Sequence, residues 1–478
     1  MKILLAVSEL AGIVKNGGLA DVASALAFWM KKLGHDVRVV MPGYREALDS
    51  LTTDVVGVGE VIVSPWFRTG YAIREGDFQG IPVYFIEHSH YFDRAGLYTV
   101  DGEGFGDNAE RFAFFCRAAL PVCEMVDFQP DVIHGHDWQS GLLSFYLKVH
   151  EGSNPFFFNT RSVMTIHNGA YQQSIDGFMM GKLGIDPQYF TPDYFKEGNR
   201  INLLKGGIAF SDKITTVSPG YAKELLTEKG SHGLSHILQR RQQDFSGILN
   251  GCDYEHWDPA TDALLPATYS IDNLEGKSIC KRTLQESLRL RVDSEVPIYG
   301  MVSRLSEQKG FAYLVPVLWE FLQKDIQVVL QGSGDQAVAK ELDHLSRVFP
   351  DKCKFIEAYD NRLAHLIEAG SDFFLMPSLF EPCGLNQLYS MRYGTLPIVR
   401  AVGGLADTVT GFMDGNMEAT GFMFGSAAPS ALLNSLNQTE VVYRDQEIMD
   451  RLIANAMSTS FSWEHSAREY LTVYTSIE

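Results

Sequence analysis

Arg304 and Lys309 stand five residues apart in Ser303-Arg304-Leu305-Ser306-Glu307-Gln308-Lys309-Gly310, at the end of an apolar run that reads as a strand. Across a turn into a helix, a planar guanidinium fork and a point-like ammonium can converge on one diphosphate. Cations at a helix N-terminus oppose the helix dipole, so this placement favours a bound anion over simple charge decoration. A third cation, Lys15, precedes Gly17-Gly18-Leu19-Ala20-Asp21, and the same five residues recur as Gly403-Gly404-Leu405-Ala406-Asp407. Each copy joins a strand-like run to a helix-like run, where a glycine pair lets backbone N–H groups approach an anion. Two such junctions in separate halves suggest two α/β domains gripping one phosphorylated ligand; a packing turn used twice is the alternative. Familiar phosphate fingerprints do not fit. Gly12 and Gly17 have P-loop spacing, but Gly18-Leu19 stands where Lys-Ser/Thr belongs, and no G-x-G-x-x-G follows the first strand.

Glu381-Pro382-Cys383-Gly384-Leu385 lies between the strand-like Phe373 to Met376 and the helix-like Gln387 to Tyr393. Pro382 stiffens the turn and Gly384 opens it, which makes the amides of Leu385 and Asn386 anion donors. Glu381 can accept hydrogen bonds from sugar hydroxyls, or cap the helix. In His134-Gly135-His136-Asp137-Trp138 both imidazoles share one face of a strand, a pattern of metal sites. No further ligand follows Asp137 at the spacing of dinuclear hydrolases. The motif therefore reads as structural histidines, with Asp137 and Trp138 exposed at the strand end and no metal. His167, in Thr165-Ile166-His167-Asn168-Gly169, again puts a polar residue at a strand's carboxyl end.

The elements that must position these residues alternate in type. Strands are expected at Lys2 to Ser8, Val37 to Met41, Ile81 to Glu87, Val132 to Gly135, Ser162 to His167 and Lys213 to Val217. The second half repeats the style at Ile298 to Ser303, Gln327 to Gln331, Lys354 to Ile356, Phe373 to Met376 and Pro397 to Arg400. Amphipathic helices lie between them, one carrying Leu19, Val22, Ala23, Leu26 and Met30, another Phe311, Leu314, Val315, Leu318 and Phe321. The alternation predicts parallel sheets with helices on both faces, and ligands gather at the carboxyl ends of such strands. The polar stretch Gln239 to Asp244 marks the domain boundary, and a helix is expected after Ser460.

At 478 residues the chain exceeds what one core usually supports, so two domains are expected. A net charge of −19 repels nucleic acid and anionic membranes, so attraction for an anionic ligand must come from a few placed cations. The opening Met1-Lys2-Ile3-Leu4-Leu5-Ala6-Val7 reads as a strand rather than a signal peptide, because Glu9 breaks the apolar core. Apolar runs are all shorter than the about 18 residues a membrane span needs. Six scattered cysteines without a C-x-x-C pair fit a reducing cytoplasm.

Taken in order, Lys15 to Val22, His134 to Leu142, Thr165 to Tyr171, Gly247 to Gly251, Ser303 to Gly310, Glu381 to Tyr389 and Gly403 to Val409 closely resemble the bacterial glycogen synthase and plant starch synthase family. These are retaining glucosyltransferases that extend α-1,4-glucans from a sugar nucleotide. The resemblance implies an α/β GT-B type fold, two Rossmann-like domains facing across a cleft. Residues 1–245 would form the acceptor-side domain, with 458–478 crossing back onto it, and 246–457 the nucleotide-sugar domain. Carried over residue by residue, Arg304 and Lys309 would neutralise the diphosphate, with Lys15 and Gly18 closing on it from the other side. Glu381 and Gly404 would hold glucosyl hydroxyls, His167 would contact the sugar and the developing charge, and Asp137 would orient the reacting groups. Tyr359 would stack on the base, while Trp138, Tyr98 and Asn250 fall near the glucosyl and acceptor region. Asp21, Gln308, Cys383, Gly384, Leu385 and Asn386 complete the implied substrate-binding set, Cys383 without a nucleophile's role.

The implied co-substrate is ADP-glucose and the acceptor glycogen or a malto-oligosaccharide, with no cofactor and no nucleic-acid or membrane partner. The chemistry agrees: departure of a nucleoside diphosphate leaves an oxocarbenium-like sugar, so cations on the leaving group lower the barrier. No carboxylate pair with hydrolase spacing is evident. Front-face transfer is therefore favoured, the leaving phosphate taking the acceptor's proton while domain closure excludes water. Asn16, Gly169 and Asn386 depart from common bacterial residues, which bears on phosphate contacts and acceptor preference. Another sugar-nucleotide transferase or a phosphorylase-like enzyme of the same fold, or a non-catalytic glucan-binding paralogue, are the alternatives. Lys15, Arg304, Lys309 and Glu381 are all intact, which speaks against the paralogue.

Overall fold

The computed structural model describes residues 1–64, 67–100, 102–413 and 416–477 and divides the chain into two compact units. One comprises Met1–Asn250 with the C-terminal stretch from Trp463, the other Gly251–Ser462.

In the first unit nine strands form one sheet: β1 (Lys2–Ala6), β2 (Asp36–Pro42), β3 (Asp54–Ser64), β4 (Phe67–Phe78), β5 (Ile81–Glu87), β6 (Val132–His136), β7 (Arg161–Ile166), β8 (Lys213–Thr216) and β9 (Phe245–Gly247). Their spatial order is β9-β8-β7-β6-β1-β2-β5-β4-β3. All neighbours pair in parallel except the β5-β4-β3 edge, which is antiparallel. Helix α1 (Gly18–Lys32) follows β1 and buries Leu19, Val22, Ala23, Leu26 and Met30, the stripe that a 3.6-residue period predicts. Lys31 and Lys32 in its last turn complement the helix dipole. Central strands read as continuous apolar runs because both faces are covered: Ile3, Leu4, Leu5 and Ala6 of β1 are all buried. Helix α2 (Asn108–Met125) supplies an aromatic wall of Phe112, Phe114 and Phe115.

Two features differ from expectation. The β3–β4 hairpin was not anticipated: Val58 of β3 is 75% exposed, so the strand lacks the alternation that marks a half-buried edge. The boundary expected at 245/246 falls inside β9, whose Phe245, Ser246 and Gly247 pair with Ile214, Thr215 and Thr216 of β8. The C-terminal helix, Trp463–Thr475, belongs to the first unit, with Ser466 Oγ donating to Leu249 O at 2.6 Å.

In the second unit six parallel strands, β10 (Ile298–Val302), β11 (Gln327–Gln331), β12 (Cys353–Ile356), β13 (Phe373–Met376), β14 (Leu396–Arg400) and β15 (Phe422–Phe424), take the order β12-β11-β10-β13-β14-β15. Helix α3 (Phe311–Phe321) buries Phe311, Leu314, Leu318 and Phe321 on the sheet, while α4 (Asn386–Arg392) and α5 (Gly403–Thr408) follow β13 and β14. In each sheet the order reverses beside the first strand: between β1 and β6, and between β10 and β13. Such reversals open a crevice at the carboxyl ends of the strands. Among the described residues no helix is long and apolar enough to cross a membrane, and all six cysteines are buried and outside any disulfide.

Candidate active site

At the reversal of the first sheet, β1 is followed by Ser8 and Glu9, both buried. Glu9 Oε2 accepts the backbone amides of Asn16 at 2.6 Å and Gly17 at 2.9 Å, and Oε1 accepts the Tyr98 hydroxyl at 2.7 Å. A buried carboxylate thus pins the loop that carries Lys15. The Gly17 amide, expected to face an anion, is committed to this carboxylate. Gly18 opens α1, and its amide has no intrahelical acceptor. Lys15 Nζ meets Asp21 Oδ1 at 2.7 Å on the surface. Exposed pairs of this kind contribute little, about 0–1 kcal/mol, so a ligand phosphate can displace Asp21.

From β6, Asp137 turns inward at φ 55° and ψ −171°, a conformation that non-glycine residues rarely adopt. Its Oδ1 accepts the His167 amide at 2.7 Å, which ties the ends of β6 and β7 together. Burial pushes the Asp137 carboxyl up to about 7, against the pull of the His167 and Asn168 amides and with Glu9 adding to the rise. His167 Nε2 lies 2.9 Å from His136 Nδ1. His134 has Tyr474 OH at 2.7 Å and Thr165 Oγ1 at 2.6 Å on its two ring nitrogens. Asp137 and Trp138, expected exposed, are 7% and 8% exposed. Trp138 lies edge-on to Phe112 of α2 at 5.0 Å, and the Asp137 carboxylate faces amides rather than water. Asn250 is buried nearby in sequence to β9, its Oδ1 without a partner among the described residues.

At the reversal of the second sheet, Lys309 Nζ lies 2.6 Å from Glu381 Oε2, which also accepts from Ser378 Oγ at 2.8 Å. Glu381 is buried, and its Oε1 remains for a further donor. Arg304 is exposed and has no ion-pair partner among the described residues. Gln308 fastens this segment to the next one, its carbonyl accepting the Leu379 amide at 2.7 Å and its Nε2 donating to Phe380 O at 3.2 Å. Leu385 is the N-cap of α4 and Asn386 its first residue. Asn386 Nδ2 donates to Val302 O at 2.7 Å and so ties α4 to the end of β10. Gly169 likewise sits where an added Cβ would meet Leu225 at 2.8 Å.

The two copies of the pentapeptide need their glycines for different reasons. A Cβ at Gly403 would lie 2.1 Å from Glu381 O, and one at Gly404 2.3 Å from Cys383 O, so this pair lets α5 press on the Glu381–Cys383 turn. Around Gly17 and Gly18 an added Cβ meets nothing within 4 Å. Tyr359 follows β12 and is 66% exposed, its hydroxyl donating to Asn361 Oδ1 at 3.2 Å. Lys15, Gly18, Asp21, Tyr98, Asp137, Trp138 and His167 thus gather around the β1–β6 crevice. Arg304, Gln308, Lys309, Glu381, Cys383, Gly384, Leu385, Asn386 and Gly404 gather around the β10–β13 crevice. Sequence reasoning missed Glu9, whose signal was a lone carboxylate closing an apolar strand. Among the described residues no group of three or more His, Cys, Asp or Glu side chains is arranged to hold a metal ion.

A profile described as the starch synthase catalytic domain matches residues 2–240, and one described as glycosyl transferases group 1 matches residues 285–458. The chain is 47% identical over 485 residues to proteins named glycogen synthase from Aeromonas salmonicida and from Aeromonas hydrophila, covering 99% of this chain and 98% of each relative. It superposes with a TM-score of 0.88 on the catalytic domain of starch synthase IV from Arabidopsis thaliana bound to ADP and acarbose. That likeness is at 34% identity and covers 99% of this chain and 98% of the plant one.

Proposed function

The chain belongs to the glycogen synthase and starch synthase family, a family of retaining glucosyltransferases of the GT-B fold, and from that premise we propose that it transfers glucose from ADP-glucose to the non-reducing end of an α-1,4-glucan. The observation that supports this most is the meeting, at the second sheet's crevice, of an exposed Arg304 that has no ion-pair partner among the described residues with a Lys309 paired to the buried Glu381. In this reading Arg304 and Lys309 neutralise the diphosphate as the bond to the anomeric carbon breaks, and Lys15 and Gly18 are proposed as further phosphate contacts. Glu381, held by Ser378 and Lys309 through one oxygen, offers Oε1 to a glucosyl hydroxyl. Asp137 and His167, tied to each other through the His167 amide, orient the sugar and meet its developing positive charge. The leaving phosphate takes the acceptor's proton, so no second carboxylate is needed. Six buried cysteines held as thiols, none in a disulfide, support the cytoplasm as its compartment.

ADP bound to the plant relative supports the adenine nucleotide as donor, and Tyr359 offers an exposed ring on which a purine could stack. Such stacking is worth about 1–3 kcal/mol. ADP-glucose should therefore give a kcat/KM about tenfold or more above that of UDP-glucose, a gap that narrows in Tyr359→Ala. Equal values for the two donors in the wild type would refute the donor assignment and leave glucosyl transfer standing.

Glu9 should matter without touching substrate, since it holds the Lys15 loop through two amides. Glu9→Ala is expected to lower kcat/KM for the sugar nucleotide by roughly 10- to 100-fold, the equivalent of losing hydrogen bonds to a charged group. Glu9→Gln keeps one acceptor oxygen and should fall between. An alanine variant with wild-type kcat/KM would show that the loop holds its shape unaided.

A further inference from the structure

The buried H-x-H motif has no role in the reading above, yet it backs directly onto His167. His134 and His136 stack with centroids 4.2 Å apart, both fully buried at the end of β6. His134 is held at both ring nitrogens, by Tyr474 of the C-terminal helix and by Thr165 of β7, whose hydroxyl also meets Thr215 Oγ1 at 2.6 Å. His136 is held on one side only: Nδ1 faces His167 Nε2 at 2.9 Å, and the buried Nε2 has no partner among the described residues.

A neutral imidazole carries one N–H and one lone pair, so the 2.9 Å contact admits two proton arrangements. If His167 Nε2–H donated, His136 would have to carry its own proton on Nε2, a buried N–H aimed at no acceptor. If His136 Nδ1–H donates, the orphaned atom is a lone pair instead. Buried N–H groups without acceptors are the rarer of the two in folded proteins. The second arrangement forces the His167 proton onto Nδ1, the ring nitrogen with no partner among the described residues.

We propose that His136 is a positioning residue: its Nδ1–H donates to His167 Nε2 and so fixes His167 as the Nδ1–H tautomer, which presents a hydrogen-bond donor to an oxygen of the bound sugar. The proposal rests on glucosyl transfer at this site. Burial keeps all three rings uncharged near neutral pH, holding His134 and His167 at about 3 and His136 well below its ordinary value. The tautomer, not the charge, is then what the motif sets. His134, locked between the C-terminal helix and β7, fixes the His136 ring plane by stacking on it.

The test begins with transfer from ADP-glucose by the wild-type enzyme. Without transfer the reading of function fails. With transfer established, long-range 1H–15N correlation on histidine-labelled enzyme distinguishes the tautomers, because an unprotonated ring nitrogen resonates far downfield of an N–H nitrogen. His136→Asn and His167→Asn serve to assign the signals. The expected result is a protonated Nδ1 and an unprotonated Nε2 on both His136 and His167; a protonated Nε2 on His167 overturns the proposal alone. In kinetics, His136→Asn places an amide donor where Nδ1 stood and should keep kcat within about threefold of wild type, whereas His136→Leu should lose roughly 10- to 100-fold in kcat. Equal kcat in the leucine and asparagine variants, with both melting as wild type does, would also overturn it.

Discussion

Arg304→Ala or Lys309→Ala lowers kcat for glucosyl transfer by about 10²- to 10³-fold or more, because each removes a preorganised positive charge from the leaving diphosphate. The two variants should differ in stability. Arg304 is exposed and without an ion-pair partner among the described residues, so its loss leaves the melting temperature unchanged. Lys309 is mostly buried against Glu381 at 2.6 Å, so its removal strands a buried carboxylate with Ser378 as its remaining partner and lowers the melting temperature as well. Lys309→Ala with Glu381→Gln should recover stability but not activity. Near-normal turnover in either alanine variant would remove the diphosphate assignment.

Asp137 gives the second large effect, and a pH signature with it. Its folded value of about 7 lies above the ordinary 3.8, so burial favours the protonated form in the native state. The stability linked to this proton is fully present below the unfolded value and is lost as pH rises through about 7. Activity moves the other way if the carboxylate is the working form: kcat/KM of the free enzyme rises through an apparent pKa near 7. Asp137→Asn keeps an oxygen for the His167 amide and tolerates positive φ, so the fold survives. It should lose about 10²- to 10³-fold in kcat, shed the limb near neutrality, and melt at a temperature that no longer falls over that pH range. A wild-type profile that is flat from roughly pH 5 to pH 9 would contradict the role of the ionised carboxylate.

Much of the scaffold was legible because its parallel strands are buried on both faces. Ile3 to Ala6 and Phe373 to Met376 are apolar at every position, and the glycine turns that end such runs are where ligands gather. The β3–β4 hairpin was not legible, since Val55 and Val58 point apolar side chains to solvent and blur the period of two. Local reading also misjudged Asp137 and Trp138. Their burial depends on Phe112, some distance back along the chain, and on amides of the neighbouring strand. The link from His134 to Tyr474 spans 340 residues, beyond any local pattern. Glu9 was visible only as an interruption of an apolar run. Its task as the acceptor for the Asn16 and Gly17 amides exists only once the loop folds back on β1.

The most direct measurement is NMR analysis of the products formed from ADP-glucose and a short maltodextrin by the purified chain, with released ADP counted alongside. One ADP per glucosyl unit added is expected, each unit joined at the non-reducing end through a new α-1,4 linkage. Release of free glucose in place of chain growth, or a product with β configuration at the new bond, would contradict it.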